Sequence, residues 1–262
     1  MEVVRAEVVR ADDETPARSC RPWSVGADVA HRPCTVVPAR RRRGCPMTTT
    51  NTSYVRAARV LAERDPVIAR LVKDAGTPRL RPPLGTHFDA LVRSIVYQQL
   101  AGAAAAAIHG RLLAALGGEA EPARLLSIGD EKLREAGLSA NKSAALRDLA
   151  TKVLDGTVVL DPRRLRRASD EEVVAWLSSV RGVGRWTAEM FLMFQLRRLD
   201  VWPTGDLGVR RGYGLAFEVP MPDPRQLELL GDRFRPYRSI AAWYCWRAVE
   251  LYGRAAESAL TR

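Results

Sequence analysis

The apolar residues of this chain recur mainly at the three- and four-residue spacing of one helix face. Gly, Pro and capping residues separate the apolar segments, and Ser169 with Glu172 has the spacing of a capping box. The one short strand candidate, Val158 to Leu160, is too short to form a sheet. We therefore predict an all-α body. The predicted helices are Tyr54–Lys73 with an interruption at Pro66, Phe88–Gln99, Ala103–Leu116, Asp130–Ala136, Ser139–Leu154, Glu171–Ser179, Arg185–Arg198, Asp206–Leu215, Pro224–Leu230 and Tyr237–Leu251.

Residues 1–46 lack this periodicity. They are rich in arginine and end in the run Arg40 to Arg43, and no apolar segment typical of a secretory signal follows a basic one. We expect either a disordered basic tail or an over-extended gene start, because Met47 stands directly before the helical pattern. Residues 47–262 form the predicted helical body.

Composition narrows the class of protein. The 262 residues carry a formal net charge of +11, which suits a polyanionic partner such as DNA. The longest uncharged apolar stretch, Ala103 to Ile108, is far shorter than the ~20 residues of a membrane-spanning helix, which excludes a membrane protein. The four cysteines include no C-x-x-C pair, so we expect a reducing cytoplasm, with Cys245 as an apolar core residue.

A glycine-containing turn joins two predicted helices between Leu177 and Ala188. Gly182 and Gly184 permit positive φ, so that backbone N–H groups can point outward at the start of the next helix. Such a turn is an anion site, and on a basic protein the anion of interest is a DNA phosphate. Taken alone the pattern is weak, since a plain connection between two helices has the same appearance.

The surrounding segments make the pattern specific. The turn is followed by a Gly/Pro-containing loop that ends in Asp206, and three further segments carry distinctive residues: Ser94 to Leu100, Leu133 to Lys142, and Phe234 to Ser239 with Trp243 and Trp246. Together they resemble the helix-hairpin-helix DNA glycosylase superfamily, and most closely the monofunctional 3-methyladenine DNA glycosylase II group. The resemblance covers about residues 54–251.

The resemblance implies two helical lobes with the active-site cleft between them. One lobe would comprise mainly residues 86–168 and the other residues 54–80 and 199–262, with the helix-hairpin-helix at 169–198. The β-sheet domain that precedes the helices in some bacterial members has no room in this chain.

The same resemblance implies hydrolysis of the N-glycosidic bond of alkylated purines, of the 3-methyladenine and 7-methylguanine type, after base flipping from duplex DNA. Asp206 matches the catalytic aspartate, whose carboxylate would stabilise the positive charge of the sugar and orient or deprotonate the attacking water. The alternative for Asp206 is a plain helix N-cap. We interpret Asp200, the neighbouring carboxylate, as structural.

Other site residues follow from the matched motifs. Trp186 and Trp246 match the pocket aromatics that stack on an electron-poor alkylated base. Trp202 is assigned to the same pocket, with packing as its alternative, whereas Trp176 and Trp243 are expected to pack. Met190 stands where relatives often carry a tyrosine.

The DNA contacts are also carried over from the family. We assign Gln99 as the wedge that fills the gap left by the flipped base, with Leu100 possible. The alternative, of equal weight, is that these glutamines at a helix end only form local hydrogen bonds. The N–H groups of Gly182, Gly184 and Thr187 would hold a phosphate. Relatives bind a monovalent cation through hairpin carbonyls, and the matching carbonyls are those of Ser178, Val180 and Val183.

Strand cleavage and redox cofactors are not expected. The bifunctional members use a lysine that corresponds to Trp186, and the four lysines of this chain all precede residue 153. The iron–sulfur cluster of some relatives needs four C-terminal cysteines, and only Cys245 is available. We expect no required cofactor.

Two other interpretations remain open. One keeps the fold but assigns it another lesion, such as hypoxanthine or uracil, and the other is a non-catalytic helix-hairpin-helix DNA-binding module. Asp206 together with the tryptophan cluster argues against the module, because binding alone needs neither. The leading interpretation is a monomeric, cytoplasmic, nucleoid-associated enzyme whose partner is damaged double-stranded DNA.

Overall fold

A computed structural model describes residues 47–80, 83 and 85–260, with side-chain surroundings for 53–80, 83 and 85–253. The predicted tail, 1–46, lies outside the described residues. Within them all regular secondary structure is helical, as predicted. The helices are α1 (Met47–Arg64), α2 (Pro66–Ala75), α3 (His87–Tyr97), α4 (Gly102–Ala115), α5 (Pro122–Ser127), α6 (Asp130–Glu135), α7 (Ala140–Leu154), α8 (Pro162–Arg167), α9 (Asp170–Ser178), α10 (Arg185–Met190), a π-helix (Phe191–Gln195), α11 (Leu207–Phe217), α12 (Pro224–Gly231), a 3₁₀ turn (Asp232–Phe234) and α13 (Arg238–Leu260).

Local chemistry sets most of the helix ends. Asp65 caps α2, accepting hydrogen bonds from the N–H groups of Val67 and Ile68, and Pro66 occupies the first helical position. The predicted capping box is present at α9: Ser169 accepts from the N–H of Glu172, whose carboxylate accepts from the N–H of Ser169. These features explain why the helix starts could be predicted from sequence.

The helices form two lobes. The first lobe contains α3 to α9, with α7 packed against α3, α5 and α6. The second lobe contains α1, α2 and α11 to α13, with α13 packed along α11 and α2. Helix α10 and the π-helix pass between the lobes, packing on α9 and on α3 respectively. This arrangement brings the hairpin, α11 and α13 together around one site.

The crossing of α11 and α13 is unusually close, and a glycine permits it. A Cβ on Gly212 would lie 1.8 Å from the carbonyl oxygen of Cys245, which is backbone and cannot rotate away. Cys245 is buried, as expected. The close crossing fixes the beginning of α11 relative to the middle of α13, and both of these segments supply the site.

The structure corrects the predicted helix over Arg185–Arg198. The α-helix ends at Met190, a π-helix continues to Gln195, and the chain turns at Arg197, whose φ is 61°. The two short helices α5 and α8 were not predicted, although each has a proline at its first turn. No described helix is long and apolar enough to cross a membrane.

Candidate active site

Asp206 lies at the N-terminus of α11 and is both a helix cap and the centre of a polar cluster. Asp206 is 6% exposed, and Oδ1 of its carboxylate accepts a hydrogen bond from the N–H of Val209 at 2.7 Å. The N-cap alternative for Asp206 is therefore present in the fold. It does not compete with a chemical role, because the cap hydrogen bond uses only one of the two carboxylate oxygens.

Two tryptophans complete the environment of this carboxylate. The indole Nε1 of Trp186, on α10, donates to Oδ2 of Asp206 at 2.7 Å. The indole Nε1 of Trp246, on α13, donates to Oδ1 at 2.9 Å. The sequence indicated that these residues share a pocket, but it did not indicate that both indole N–H groups bind the aspartate.

Gly208 makes the approach of Trp246 possible. A Cβ at this position would lie 2.8 Å from Cδ1 of Trp246 and 3.1 Å from Oδ1 of Asp206. No strained backbone angle is involved, so the need for glycine here is one of space. Any larger residue must push the indole ring or the carboxylate.

The donors around Asp206 are neutral. Two indole N–H groups and one amide N–H bind the carboxylate, and no lysine or arginine of the described residues is among its hydrogen-bond partners. Neutral donors stabilise the anion without cancelling its charge, which leaves the carboxylate able to stabilise a positive charge beside it. The buried thiol of Cys245 feels this charge: burial, with the charge of Asp206, raises its pKa.

An aromatic residue that the sequence did not single out joins the site. Phe194, on the π-helix, stacks on Trp246 with ring centroids 5.8 Å apart and planes 25° apart. One face of Trp246 is therefore covered by the protein itself. The change from α-helix to π-helix in this segment has no signal in the local sequence.

Trp202, which was assigned to the pocket with packing as its alternative, lies in the core. It is 5% exposed, and its indole Nε1 donates to the carbonyl oxygen of Leu227 at 2.8 Å. Its ring lies against Phe234 and above Gly231, where a Cβ would come within 2.3 Å of Nε1. The physical reason is that this indole fills the space between the loop and α12, so packing, its stated alternative, is the role that the structure supports.

The hairpin turn presents backbone donors at its two glycines. Gly182 adopts a φ of 73°, and Gly184 is the N-cap of α10. Both glycines are exposed, and among the described residues their N–H groups donate to no other group of the protein. Thr187, in the first turn of α10, is buried. The turn can therefore receive an anion at its glycines and at the open end of the helix.

Side chains from the first lobe hold the hairpin in place. The ammonium of Lys152 binds the carbonyl oxygen of Ser179 and the carboxylate of Asp148, which in turn accepts from the N–H of Arg181 at 2.7 Å. The side-chain amide of Gln98 donates to the carbonyl oxygen of Gly182 at 2.9 Å. The hairpin is thus bonded both to α7 and to the turn that follows α3.

The predicted wedge residues lie in that turn. Gln99 is exposed and has a φ of 57°, and Leu100, which follows it, is half-buried. Gln98, in contrast, is directed at the hairpin by its hydrogen bond to Gly182. Gln99 is the glutamine of the pair that faces solvent.

A buried acid lies one turn beyond Trp186 on α10 and was missed by the sequence reasoning. Glu189 is 6% exposed, and burial raises its pKa to about 7 despite a 3.1 Å contact with the guanidinium of Arg185. That guanidinium is exposed and also binds Glu171, whose pKa it lowers. Burial therefore outweighs the ion pair at Glu189.

The match to a family model gives this geometry a name. The model of the HhH-GPD superfamily base excision DNA repair proteins matches residues 92–236, more than half of the chain. The chain belongs to the HhH-GPD superfamily. The matched segment contains the hairpin, Gln99, Trp186 and Asp206, whereas Trp246 lies beyond its end.

Individual relatives within the superfamily share most of the chain. DNA-3-methyladenine glycosylase 1 of Schizosaccharomyces pombe is 32% identical over 205 residues, which cover 76% of this chain and 90% of the relative. Among solved structures, a DNA-3-methyladenine glycosidase from Bacillus halodurans is 35% identical with a TM-score of 0.69, covering 76% of this chain and 91% of that one. The S. pombe 3-methyladenine DNA glycosylase in complex with abasic DNA has 31% identity and a TM-score of 0.64, covering 74% and 97%.

Proposed function

We propose that this HhH-GPD protein is a monofunctional DNA glycosylase that hydrolyses the N-glycosidic bond of alkylated purines in duplex DNA. One observation carries the proposal: a buried aspartate whose two carboxylate oxygens are held by neutral donors from three helices. A DNA-binding module would have no use for that arrangement. The naming of the relatives as 3-methyladenine glycosylases supports the same substrate class.

The chemistry requires a fixed negative charge beside the sugar. As the bond to the base breaks, positive charge develops on the deoxyribose, and the carboxylate of Asp206 stabilises it. The indoles of Trp186 and Trp246 hold the two oxygens, so that the charge is in place before the reaction starts. The carboxylate that faces the sugar can also orient the attacking water.

The same geometry supports release of the base without strand cleavage. Strand cleavage needs an amine at the sugar, and the position of that amine is occupied by the indole of Trp186, bonded to Asp206. Two of the four lysines are engaged elsewhere: Lys142 binds carbonyls at the end of α3, and Lys152 binds the hairpin. We therefore propose that this enzyme only hydrolyses the N-glycosidic bond and that other enzymes cleave the strand.

The DNA contacts follow from the two exposed turns. The N–H groups of Gly182, Gly184 and Thr187 hold a phosphate and position the duplex without reading its sequence. Gln99, at the tip of its turn, enters the stack in place of the flipped base, with Leu100 beside it. All of these groups come from one chain, which supports action as a monomer. We propose that its partner is damaged chromosomal DNA in the cytoplasm.

We also propose a monovalent cation at the hairpin. The carbonyls of Ser178, Val180 and Val183 would be its ligands, and the side-chain donors from Lys152 and Gln98 go to the intervening carbonyls of Ser179 and Gly182. A Na⁺ or K⁺ ion bound there would stiffen the turn and add positive charge near the phosphate. The enzyme needs no redox cofactor for this reaction.

The test is base release from duplex DNA treated with a methylating agent. The proposal predicts free 3-methyladenine and strands that stay intact until alkali is added. Strands cut without alkali would overturn the monofunctional assignment. Release of hypoxanthine or uracil alone would change the substrate, and salt-sensitive DNA binding with no release from any lesion would leave a binding module.

A further inference from the structure

The turn at Gln98 to Leu100 is poorly held by its own backbone. Its two local hydrogen bonds, from the N–H of Gln98 to Ile95 and from the N–H of Leu100 to Tyr97, are both 3.4 Å long. Such lengths lie beyond the ordinary range of ~2.7–3.2 Å. Gln99 also has the left-handed backbone angle that non-glycine residues rarely adopt. Something outside the turn must therefore fix its shape.

Lys142, at the start of α7, supplies the first of these outside contacts. Its ammonium donates to the carbonyl oxygen of Val96 at 2.7 Å and to that of Gln98 at 2.8 Å. These carbonyls belong to the last turn of α3 and its C-cap, where a cation is favoured by the helix dipole. Burial lowers the pKa of Lys142, because the charged ammonium is less well solvated here than in water. One side chain thus ties the end of α3 and the first residue of the turn to α7.

Gln98 supplies the second contact, to the hairpin. Its side-chain amide donates to the carbonyl oxygen of Gly182 at 2.9 Å, across 84 residues of sequence. Gly182 is one of the two glycines whose N–H groups face outward for a phosphate. The backbone of the turn is therefore bonded to α7 through Lys142, and its side chain is bonded to the hairpin through Gln98.

We propose that Lys142 and Gln98 are positioning residues that set the location of the Gln99 wedge relative to the phosphate-binding hairpin. This inference rests on the proposed function and adds two residues to it that touch neither the base nor the sugar. The hairpin fixes one phosphate, and the wedge must enter the duplex at a fixed offset from it. An error of about 1 Å in that offset is enough to slow a reaction by orders of magnitude.

The test compares Lys142→Met and Gln98→Leu with Arg147→Met as a matched control. Arg147 lies on α7 too and also binds carbonyls at a helix end, those of Leu126 in the last turn of α5 and of its C-cap Ile128, away from the wedge. All variants are measured by amide hydrogen exchange, by the single-turnover rate of base release, and by binding to undamaged duplex. Thermal unfolding reports general destabilisation.

We expect faster exchange at the amides of Gln98 and Leu100, which form the two local hydrogen bonds of the turn, in Lys142→Met and Gln98→Leu, and base release slowed about tenfold or more. Binding to undamaged duplex should stay within about twofold, because the phosphate contacts remain. Lys142→Arg should recover most of the rate, since a guanidinium can donate to both carbonyls. Arg147→Met should release base at the wild-type rate even if its unfolding temperature falls.

The inference is overturned if Lys142→Met and Gln98→Leu release base as fast as Arg147→Met does. It is also overturned if the exchange of the turn does not change. A wild-type protein that releases no base would refute the proposed function instead, and the exchange data would still decide whether the two contacts hold the turn.

Discussion

Gly208 offers a direct way to disturb the catalytic carboxylate without touching it. In Gly208→Ala the new Cβ would lie 2.8 Å from Cδ1 of Trp246 if nothing moved, whereas carbon atoms in contact lie ~3.5–4.0 Å apart. The indole must therefore move by about 0.7 Å or more. Its hydrogen bond to Asp206 already measures 2.9 Å, and such a shift takes it outside useful geometry.

The expected loss follows from the value of that bond. A hydrogen bond to a charged group contributes about 1.5–3 kcal/mol, and each 1.36 kcal/mol corresponds to about tenfold in rate. We therefore expect the single-turnover rate of base release to fall roughly tenfold to a hundredfold. Affinity for abasic DNA should change little, because the hairpin is untouched.

Gly110→Ala is the matched control. Gly110 lies inside α4, and a Cβ there would meet no heavy atom within 4 Å beyond the backbone of its own helix, so the same methyl group enters open space. There alanine should stabilise the helix by about 0.5–1 kcal/mol and leave base release unchanged. If Gly208→Ala releases base at the rate of Gly110→Ala, the contact between Trp246 and Asp206 has no part in the reaction.

Two further predictions concern stability. Glu189 has a folded-state pKa of about 7 against an ordinary value of 4.5. Between these two values the folded state holds a proton that the unfolded state has lost, so stability falls as the pH rises toward and through 7. In urea unfolding, the stability of the wild type minus that of Glu189→Gln should be about 3 kcal/mol smaller at pH 8 than at pH 4.5. A difference that stays the same at both pH values would refute the burial argument. Gly212→Ala should lower the free energy of unfolding by about 3 kcal/mol or more, since α11 and α13 must separate to admit a methyl group at the carbonyl of Cys245. An unchanged melting temperature would contradict the close crossing.

The parts of the site that depend on local chemistry were predictable. Asp206 was predicted to begin a helix after a Gly/Pro-containing loop, and it is the N-cap of α11. Asp200 was interpreted as structural, and it binds the guanidinium groups of Arg235 and Arg238. Capping at a helix start involves residues close in sequence, so the local pattern carries the information for Asp206. The ion pairs of Asp200 join it to residues 35 and 38 positions away, and the match of Asp206 to the family motif, rather than local spacing, indicated the structural role of Asp200.

The parts that depend on how helices cross were not predictable. The sequence placed Trp186 and Trp246 in a pocket as stacking surfaces, but their N–H groups meet Asp206 only because α10, α11 and α13 converge there. Trp202 stands in the same motif as Asp206, yet its indole turns into the core toward Leu227. Side-chain direction in a loop is set by the space around it, which no local pattern describes.

The backbone irregularities follow the same rule. The single helix predicted over Arg185–Arg198 has a regular apolar pattern, and nothing in it signals the π-helix from Phe191 to Gln195. Packing of Phe194 on Trp246 accompanies that change in helix type. The contact between Gln98 and Gly182 likewise joins two motifs that the sequence analysis treated separately.

The most direct test of the central claim is Asp206→Asn, measured for base release and for binding to abasic DNA. Asparagine preserves the cap of α11 but places an NH₂ group against an indole donor, so Asp206→Asn with Trp186→Phe serves as a second variant that relieves this clash. We predict that both variants bind abasic DNA within about threefold of the wild type and release base at least about a thousandfold more slowly. Base release near the wild-type rate in either variant, or equal loss of binding and release in both, would contradict the assignment of Asp206 as the catalytic carboxylate.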